Sequence, residues 1–256
     1  TQGVSSAASD VYKRQDQLPA NKYDSFTISM WSKVDGNGQN DLRLFSEANT
    51  GNSNPLFNIG TANNGASGSI DFYIRQSGWP TVNHIHSTAE PYDGEWHHVV
   101  FVQEDGERRV YVDGELDDVE LVAKPEGTFN INDTTIGGIL RSSASHWVTG
   151  LIDDVAIWKR ALSDDEAAQV HTDGLASVFP TLGNGLIAYW PLDEVQGTKT
   201  PELINGYDME LTNLTADDVV EGRIGNAFSF SNERQTLLSR VPVSYTHLTL
   251  PTILLV

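Results

Sequence analysis

The chain contains no cysteine. That excludes a disulfide framework, a thiolate nucleophile and any cysteine-ligated metal centre, although it does not by itself assign a compartment. Basic residues are scarce: 16 Lys and Arg stand against 35 Asp and Glu, giving a formal net charge of −19, and no Lys/Arg run interrupts the acidic excess. Binding to nucleic acid by counterion release, and adhesion to an anionic membrane, both need a positive surface; composition argues against both. Long apolar runs are missing too. The C-terminal stretch LTLPTILLV is too short to cross a bilayer, which takes about 20 residues, so no membrane insertion is expected. Gly-x-Ser-x-Gly elbows, phosphate-cradling loops and zincin histidine pairs are absent as well.

What is present is alternation. From Glu95 to Gly114 the chain reads EWHHVVFVQEDGERRVYVDG. Apolar residues alternate with polar ones through Val100, Val102, Val110 and Val112, and Asp113-Gly114 is a pair suited to positive φ in a tight hairpin. This predicts strand, loop, strand, turn. From Gly150 the sequence GLIDDVAIWKRALSDDE predicts a short buried strand through Ile152, Val155 and Ile157. Ser163 followed by Glu166 forms a capping box, which opens one short helix near Ser163–Val170. The fold class expected is all-β: a sandwich of two antiparallel sheets.

Those two motifs, together with FTISMWSK at 26–33, resemble the laminin-G-like and pentraxin-like domains of the concanavalin A-type jelly roll. The family's opening elements are also present, as GLIAYWPLDE at 185–194 and GNAFSF at 225–230, but they follow the rest of the domain instead of preceding it. Residues 17–178 therefore read as one domain lacking its opening strands. Residues 179–184 read as a linker, and 185–242 as the opening strands of a second copy. The expectation is that 185–242 completes the sandwich, either as a circular permutant or on a neighbouring chain as a swapped homodimer. The ends, 1–16 and 243–256, resemble translated sequencing-adapter sequence and are set aside as a non-native leader and tail.

Several residues are candidates for chemistry. The resemblance implies a structural Ca²⁺, held by oxygen ligands from Asp193, the carbonyl of Gly197, Asp153 and Asp154. For a sugar ligand the useful groups are loop aromatics able to stack on C–H faces: Trp79 in Gly78-Trp79-Pro80, Tyr92 before Asp93-Gly94, and Trp147 before Gly150. His84 and His86, two apart, face one way on a strand; without a third ligand they read as a solvated strand face. Trp31, Trp158 and Trp190 read as core. Glu115-Leu116-Asp117-Asp118-Val119-Glu120 resembles the carboxylate motif of laminarinase-type glycoside hydrolases. Its position directly after the Asp113-Gly114 hairpin instead fits a polar outer strand.

The function expected is a noncatalytic, extracellular or cell-surface module of a larger bacterial protein that binds carbohydrate or another surface ligand, with calcium as a structural cofactor. The alternatives are a spacer or adhesion repeat without a small ligand, and a hydrolase using Glu115 and Glu120.

Overall fold

The computed structural model describes residues 18–75, 84–104, 106–121 and 130–241. In chain order the strands are β1 (Phe26–Asp35), β2 (Arg43–Asn49), β3 (Asn52–Thr61), β4 (Ile70–Arg75), β5 (Ile85–His86), β6 (Asp93–Glu104), β7 (Glu107–Val112), β8 (Glu115–Leu121) and β9 (Asp133–Ile136). They continue as β10 (Ile139–Leu140), β11 (Ala144–Ser145), β12 (Gly150–Trp158), β13 (Leu186–Trp190), β14 (Lys199–Thr200), β15 (Met209–Thr212), β16 (Val219–Glu221), β17 (Asn226–Phe230) and β18 (Leu237–Arg240). Helices α1 (Asp164–Asp173) and α2 (Leu175–Leu182) lie between β12 and β13.

The strands form two antiparallel sheets. One runs β16–β17–β12–β1–β6–β7–β8, with β13 also on β12; the other runs β14–β15–β18–β9–β2–β3–β4–β5, and β10–β11 is a separate hairpin. The result is a jelly-roll β-sandwich. Alternation dictates the interior, because every second residue of a strand faces the partner sheet. Phe26 and Ile28 of β1, Phe57 and Ile59 of β3, Phe72 of β4 and Phe101 of β6 are buried together. Phe26, Phe57 and Phe101 interlock with ring centroids 5.2–5.8 Å apart. Each such ring removed from water contributes about 1.5–3 kcal/mol.

Residues 186–240 supply strands to both sheets. Strand β12 is divided between two of them: Val155 opposes Trp190 of β13, and Ile152 opposes Phe228 of β17. In the second sheet β18 sits between β15 and β9, with Leu238 opposite Ile136. Trp190, Phe228, Phe230 and Leu238 are buried in the same core as the β1 and β6 side chains.

The capping box forms as read: Ser163 accepts from the Glu166 amide, and the Glu166 carboxylate accepts from the Ser163 amide at 2.9 Å. Gly174, at φ +73°, ends α1. A second helix was not anticipated, and the segment read as a linker, 179–184, carries the end of α2. Its signal is the apolar spacing Leu175, Val178, Leu182, which packs with Trp158, Leu186 and Tyr189; the Trp158 indole donates to the Leu182 carbonyl at 2.8 Å. Helices α1 and α2 thereby cover the outer face of the first sheet. The outer face of the second sheet carries the β10–β11 hairpin and, beside it, a cavity.

Candidate functional site

The cavity measures about 220 Å³. Its base is apolar, made by Leu56 of β3 and Ile139 of β10, which cluster with Ala48 and the partly buried Tyr73. Outward-facing positions of adjacent strands build the walls: Arg43 of β2, Asn58 of β3, and Tyr73 and Arg75 of β4. Arg141 and His146, flanking β11, close it from the hairpin side, and Asp41 and His84 complete the rim.

Each cationic group is oriented by the protein. Arg43, 5% exposed, pairs with Asp41. Arg75 donates to the Ser53 carbonyl at 2.8 Å and lies 5.9 Å from the centre of the Tyr73 ring. Arg141 donates to Ser145 Oγ at 3.3 Å and contacts His146 Nδ1 at 3.4 Å. Burial, followed by the neighbouring Arg75 and Arg43 charges, holds the Arg141 guanidinium below its usual pKa. Burial and the Arg43 charge likewise lower His146. On three of the lining residues a polar atom is fully buried without a hydrogen-bond partner among the described residues: Arg43 Nε, Arg75 Nε and Asn58 Oδ1.

Beside the rim, His84 stacks on Tyr73 with centroids 4.3 Å apart and planes 13° from parallel. Its Nδ1 lies 2.7 Å from the carboxylate of Asp71, and His86 Nε2 lies 3.6 Å from the same carboxylate. The reading of His84 and His86 as a solvated strand face is thus corrected. Asp71, opposite His86 across β4 and β5, is 1% exposed and is hydrogen-bonded to His84, whereas His86 Nε2 is buried without a hydrogen-bond partner among the described residues; burial raises the Asp71 pKa. Asp41, Asp71 and His84 place oxygen and nitrogen atoms within 4.8 Å of one another.

The residues expected to bind sugar fare differently. Tyr92 is 2% exposed and belongs to the core between the sheets. It cannot stack on a ligand, because its backbone is fastened to both Gly36 and Gly68 and its ring is carried inward. Trp147 is half-buried against Gly138, and its indole Nε1 is enclosed without a partner; it is adjacent to His146 of the cavity. Trp79 lies outside the described residues. Glu115 and Glu120 sit on the edge strand β8, opposite Val112 and Arg108 of β7. Trp158 and Trp190 are fully buried and Trp31 nearly so.

The carboxylates expected to hold calcium come from β12 and the turn after β13. Asp153 Oδ2 accepts from the amides of Arg223 and Ile224, while its Oδ1 is buried and unpartnered. Asp154 accepts from the Tyr189 hydroxyl through Oδ1 and leaves Oδ2 buried and unpartnered. Asp193 accepts from the Asn226 amide at 2.7 Å. Burial pushes Asp153 up to about 7 and Asp154 up to about 6, and the Asp193 charge adds to both. The ligand atoms of Asp153, Asp154 and Asp193 do not come together as a set within 4.8 Å, a spacing that Asp41, Asp71 and His84 do reach among the described residues. Gly197, at φ +67° in the turn joining Gln196 and Lys199, is not tied to these aspartates by any hydrogen bond among the described residues.

None of the cavity arginines was singled out from sequence. They fall at 43, 75 and 141, and no run of basic residues announces them. The available signal was the alternation itself, which turns Asn58, Tyr73 and Arg75 away from the core that Phe57, Ile59, Phe72 and Ile74 occupy.

The architecture and the cavity define a jelly-roll sandwich with one helix-covered face and one face carrying a polar recess. The family model described as the concanavalin A-like lectin/glucanases superfamily, of the laminin G type, matches residues 7–168, and the chain belongs to this family. It is similar to the human adhesion G-protein coupled receptor D1, at 32% identity over 128 residues, or 46% of this chain and 14% of the receptor. The chain therefore spans a small part of that relative. Among solved structures it is similar to the heptameric SAP-like pentraxin of Limulus polyphemus, at 19% identity and a TM-score of 0.46 over 59% of this chain and 70% of that one. It is also similar to the CBM40 module of the Ruminococcus gnavus IT-sialidase bound to α2,3 sialyllactose, at 18% identity and a TM-score of 0.49 over 59% and 84%.

Proposed function

We propose that this chain is a noncatalytic carbohydrate-binding module whose site is the cavity over β2, β3 and β4. The observation that carries the reading is the recess itself: a polar, hydrogen-bonding cavity left on the one sheet face that α1 and α2 do not cover. Sugars present a dense set of hydroxyls, and a recess lined by arginine, asparagine, histidine and aspartate side chains can meet them. Membership of the lectin/glucanase superfamily supports the same class, although a fold alone does not carry a function. No helix among the described residues is long and apolar enough to cross a membrane. The acidic composition fits an exported or cell-surface module of a larger bacterial protein.

Calcium is proposed as a structural cofactor at Asp153, Asp154 and Asp193. There it would neutralise the buried carboxylates and fasten residues 185–240 to β12, and the unpartnered Asp153 and Asp154 oxygens support this assignment. The interleaving of β13, β15, β17 and β18 with β9 and β12 of the same chain supports closure as a monomeric permutant over a swapped homodimer. The test of function is an array of glycans and polysaccharides probed with the full chain, in calcium and in chelator. Retention of defined sugars is expected. Silence in both conditions from folded protein would favour a spacer repeat instead.

A further inference from the structure

We propose that Asp41, Asp71 and His84 form a binding site for a divalent transition metal of the zinc type, near the edge of the second sheet. This goes beyond carbohydrate binding and does not depend on it.

Strand pairing assembles the group. Asp71 of β4 stands opposite His86 of β5 on one side and Gly60 of β3 on the other. Gly60 in turn opposes Arg43 of β2, and with no side chain of its own it puts nothing between Asp71 and the Asp41–Arg43 pair. Asp41 precedes β2 at φ +59°, in a left-handed conformation that a short polar residue tolerates. Its amide donates to the Ala62 carbonyl at 3.1 Å, which holds it beside the end of β3. His84, immediately before β5, is fixed by its stack on Tyr73. One ligand atom from each of Asp41, Asp71 and His84 then lies within 4.8 Å of the others, and no other group of three such residues reaches this spacing among the described residues.

The donor set defines the ion. Two carboxylates and an imidazole suit Zn²⁺ and its neighbours, whereas Ca²⁺ and Mg²⁺ take oxygen ligands. Zinc holds imidazole and carboxylate at about 2.0–2.2 Å, so two ligands of one ion stand about 3–3.5 Å apart. His84 Nδ1 lies 2.7 Å from Asp71 Oδ2, and small side-chain rotations convert that contact into shared ligation. His86 Nε2 lies 3.6 Å from Asp71 Oδ1, too far for a hydrogen bond, and is buried without a partner among the described residues. A rotation of the His86 ring adds it as a further ligand.

The surroundings fit the same role, since ligands of a metal are themselves held by hydrogen bonds. Arg43 pairs with Oδ1 of Asp41 and leaves Oδ2 for the ion; His146 Nε2 is 3.7 Å from that second oxygen. Asn63 Nδ2 lies 3.0 Å from His84 Nε2. When Nδ1 ligates, the imidazole proton sits on Nε2, and the Asn63 amide, turned over, accepts it. The Asp41 and His84 side chains are 29% and 25% exposed, so an ion enters past them to the buried Asp71. Burial raises the Asp71 pKa, and a bound cation offsets that cost of ionisation. The ion would fasten β5, a two-residue edge strand, to β4 and to the turn before β2.

The test is calorimetric titration of the full chain with Zn²⁺, without sugar, and with Ca²⁺ and Mg²⁺ in parallel. One equivalent of Zn²⁺ is expected to bind and to raise the melting temperature. His84→Gln and Asp41→Asn should each weaken zinc binding by about tenfold or more, since even an outer-shell partner is worth about that much. Both positions are partly exposed, so each variant should keep the parent melting curve in chelator, and either one suffices if the other fails to fold. His97→Gln, which changes a histidine outside the group, should bind as the parent does. Absence of zinc binding would overturn the proposal, as would binding of parent strength by the His84 and Asp41 variants. Ca²⁺ or Mg²⁺ binding as tightly at the same residues would overturn the choice of ion. Each of these failures leaves the carbohydrate reading standing, because the glycan array contains no added zinc.

Discussion

The Ile224 amide donates to Oδ2 of Asp153 at 3.0 Å across 71 positions of chain. The adjacent Arg223 amide reaches the same oxygen at 2.8 Å. One carboxylate of β12 thus anchors the loop before β17, while its other oxygen stays enclosed and unpartnered. If calcium fills that place, it binds the folded chain and not the unfolded one, which stabilises by mass action: about 2.7 kcal/mol at a hundredfold excess over Kd. Thermal melts should show a rise of several degrees in millimolar calcium that chelator reverses. The double variant Asp153→Asn with Asp154→Asn should lose that response. A melting curve indifferent to calcium would rule out the metal.

Residues 185–240 contribute Trp190, Phe228, Phe230 and Leu238 to the principal core and pair with β12 and β9. A chain ending at Asn184 would expose the edge of β12 and one flank of that core, a template for intermolecular pairing. It should be largely insoluble or melt without cooperativity. Supplying 185–242 as a separate peptide should restore a cooperative transition. An equally cooperative melt at the parent temperature for the shortened chain would contradict this account of the core.

Glu47 of β2 and Asp133 of β9 are both buried, at 0% and 1% exposure. Glu47 accepts from the Ala20 and Asn21 amides, whereas both Asp133 oxygens lack a partner. Burial pushes Glu47 up to about 7 and, reinforced by the Glu47 charge, Asp133 up to about 8. A carboxyl whose pKa is raised on folding binds more protons in the native state. Its contribution is complete below the unfolded value near pH 4 and is lost as pH rises through the folded value. Melting temperature should therefore decline between about pH 5 and pH 8 and level off above, with Asp133→Asn flattening the decline. Lowered carboxylates such as Asp218, beside Arg234, and Glu166, beside Arg160, act in the opposite sense at the acid end. A flat profile from pH 5 to pH 8 would be inconsistent with a buried, protonated pair.

Gly137 has φ +84°, and a Cβ there would stand 2.1 Å from Phe230 Cδ1. Gly137→Ala combines backbone strain with a clash against a ring buried at 1% exposure. It should cost about 2–4 kcal/mol in denaturant unfolding. A loss under about 0.5 kcal/mol, the range of ordinary surface substitutions, would mean that Phe230 is not fixed where it is described.

Much of the scaffold was legible because its signals are local. FTISMWSK became β1, EWHHVVFV became most of β6, and the Asp113-Gly114 turn has φ values of +52° and +83°. Alternation and capping operate over a few residues, so they survive in the sequence. Helix α2 escaped because eight residues, with Pro180 among them, read as a connector until Trp158 and Leu186 are seen to need covering. The site was less legible still. Arg43, Arg75 and Arg141 converge only when β2, β4 and the β10–β11 hairpin are assembled, and Asp71 meets His84 and His86 only through strand pairing. Tyr92 misled because a loop position next to Asp93-Gly94 reads as exposed. Its burial follows from backbone hydrogen bonds to Gly36 and Gly68 that no local pattern encodes.

The most direct test of the central claim is a titration of the parent chain and of the Arg141→Ala variant with a glycan retained on the array, Arg141 being one of the residues that line the cavity. Weakened binding by the variant at an unchanged melting temperature is the result predicted. Binding by the variant equal to that of the parent would place the sugar elsewhere on the molecule and contradict the assignment of this cavity.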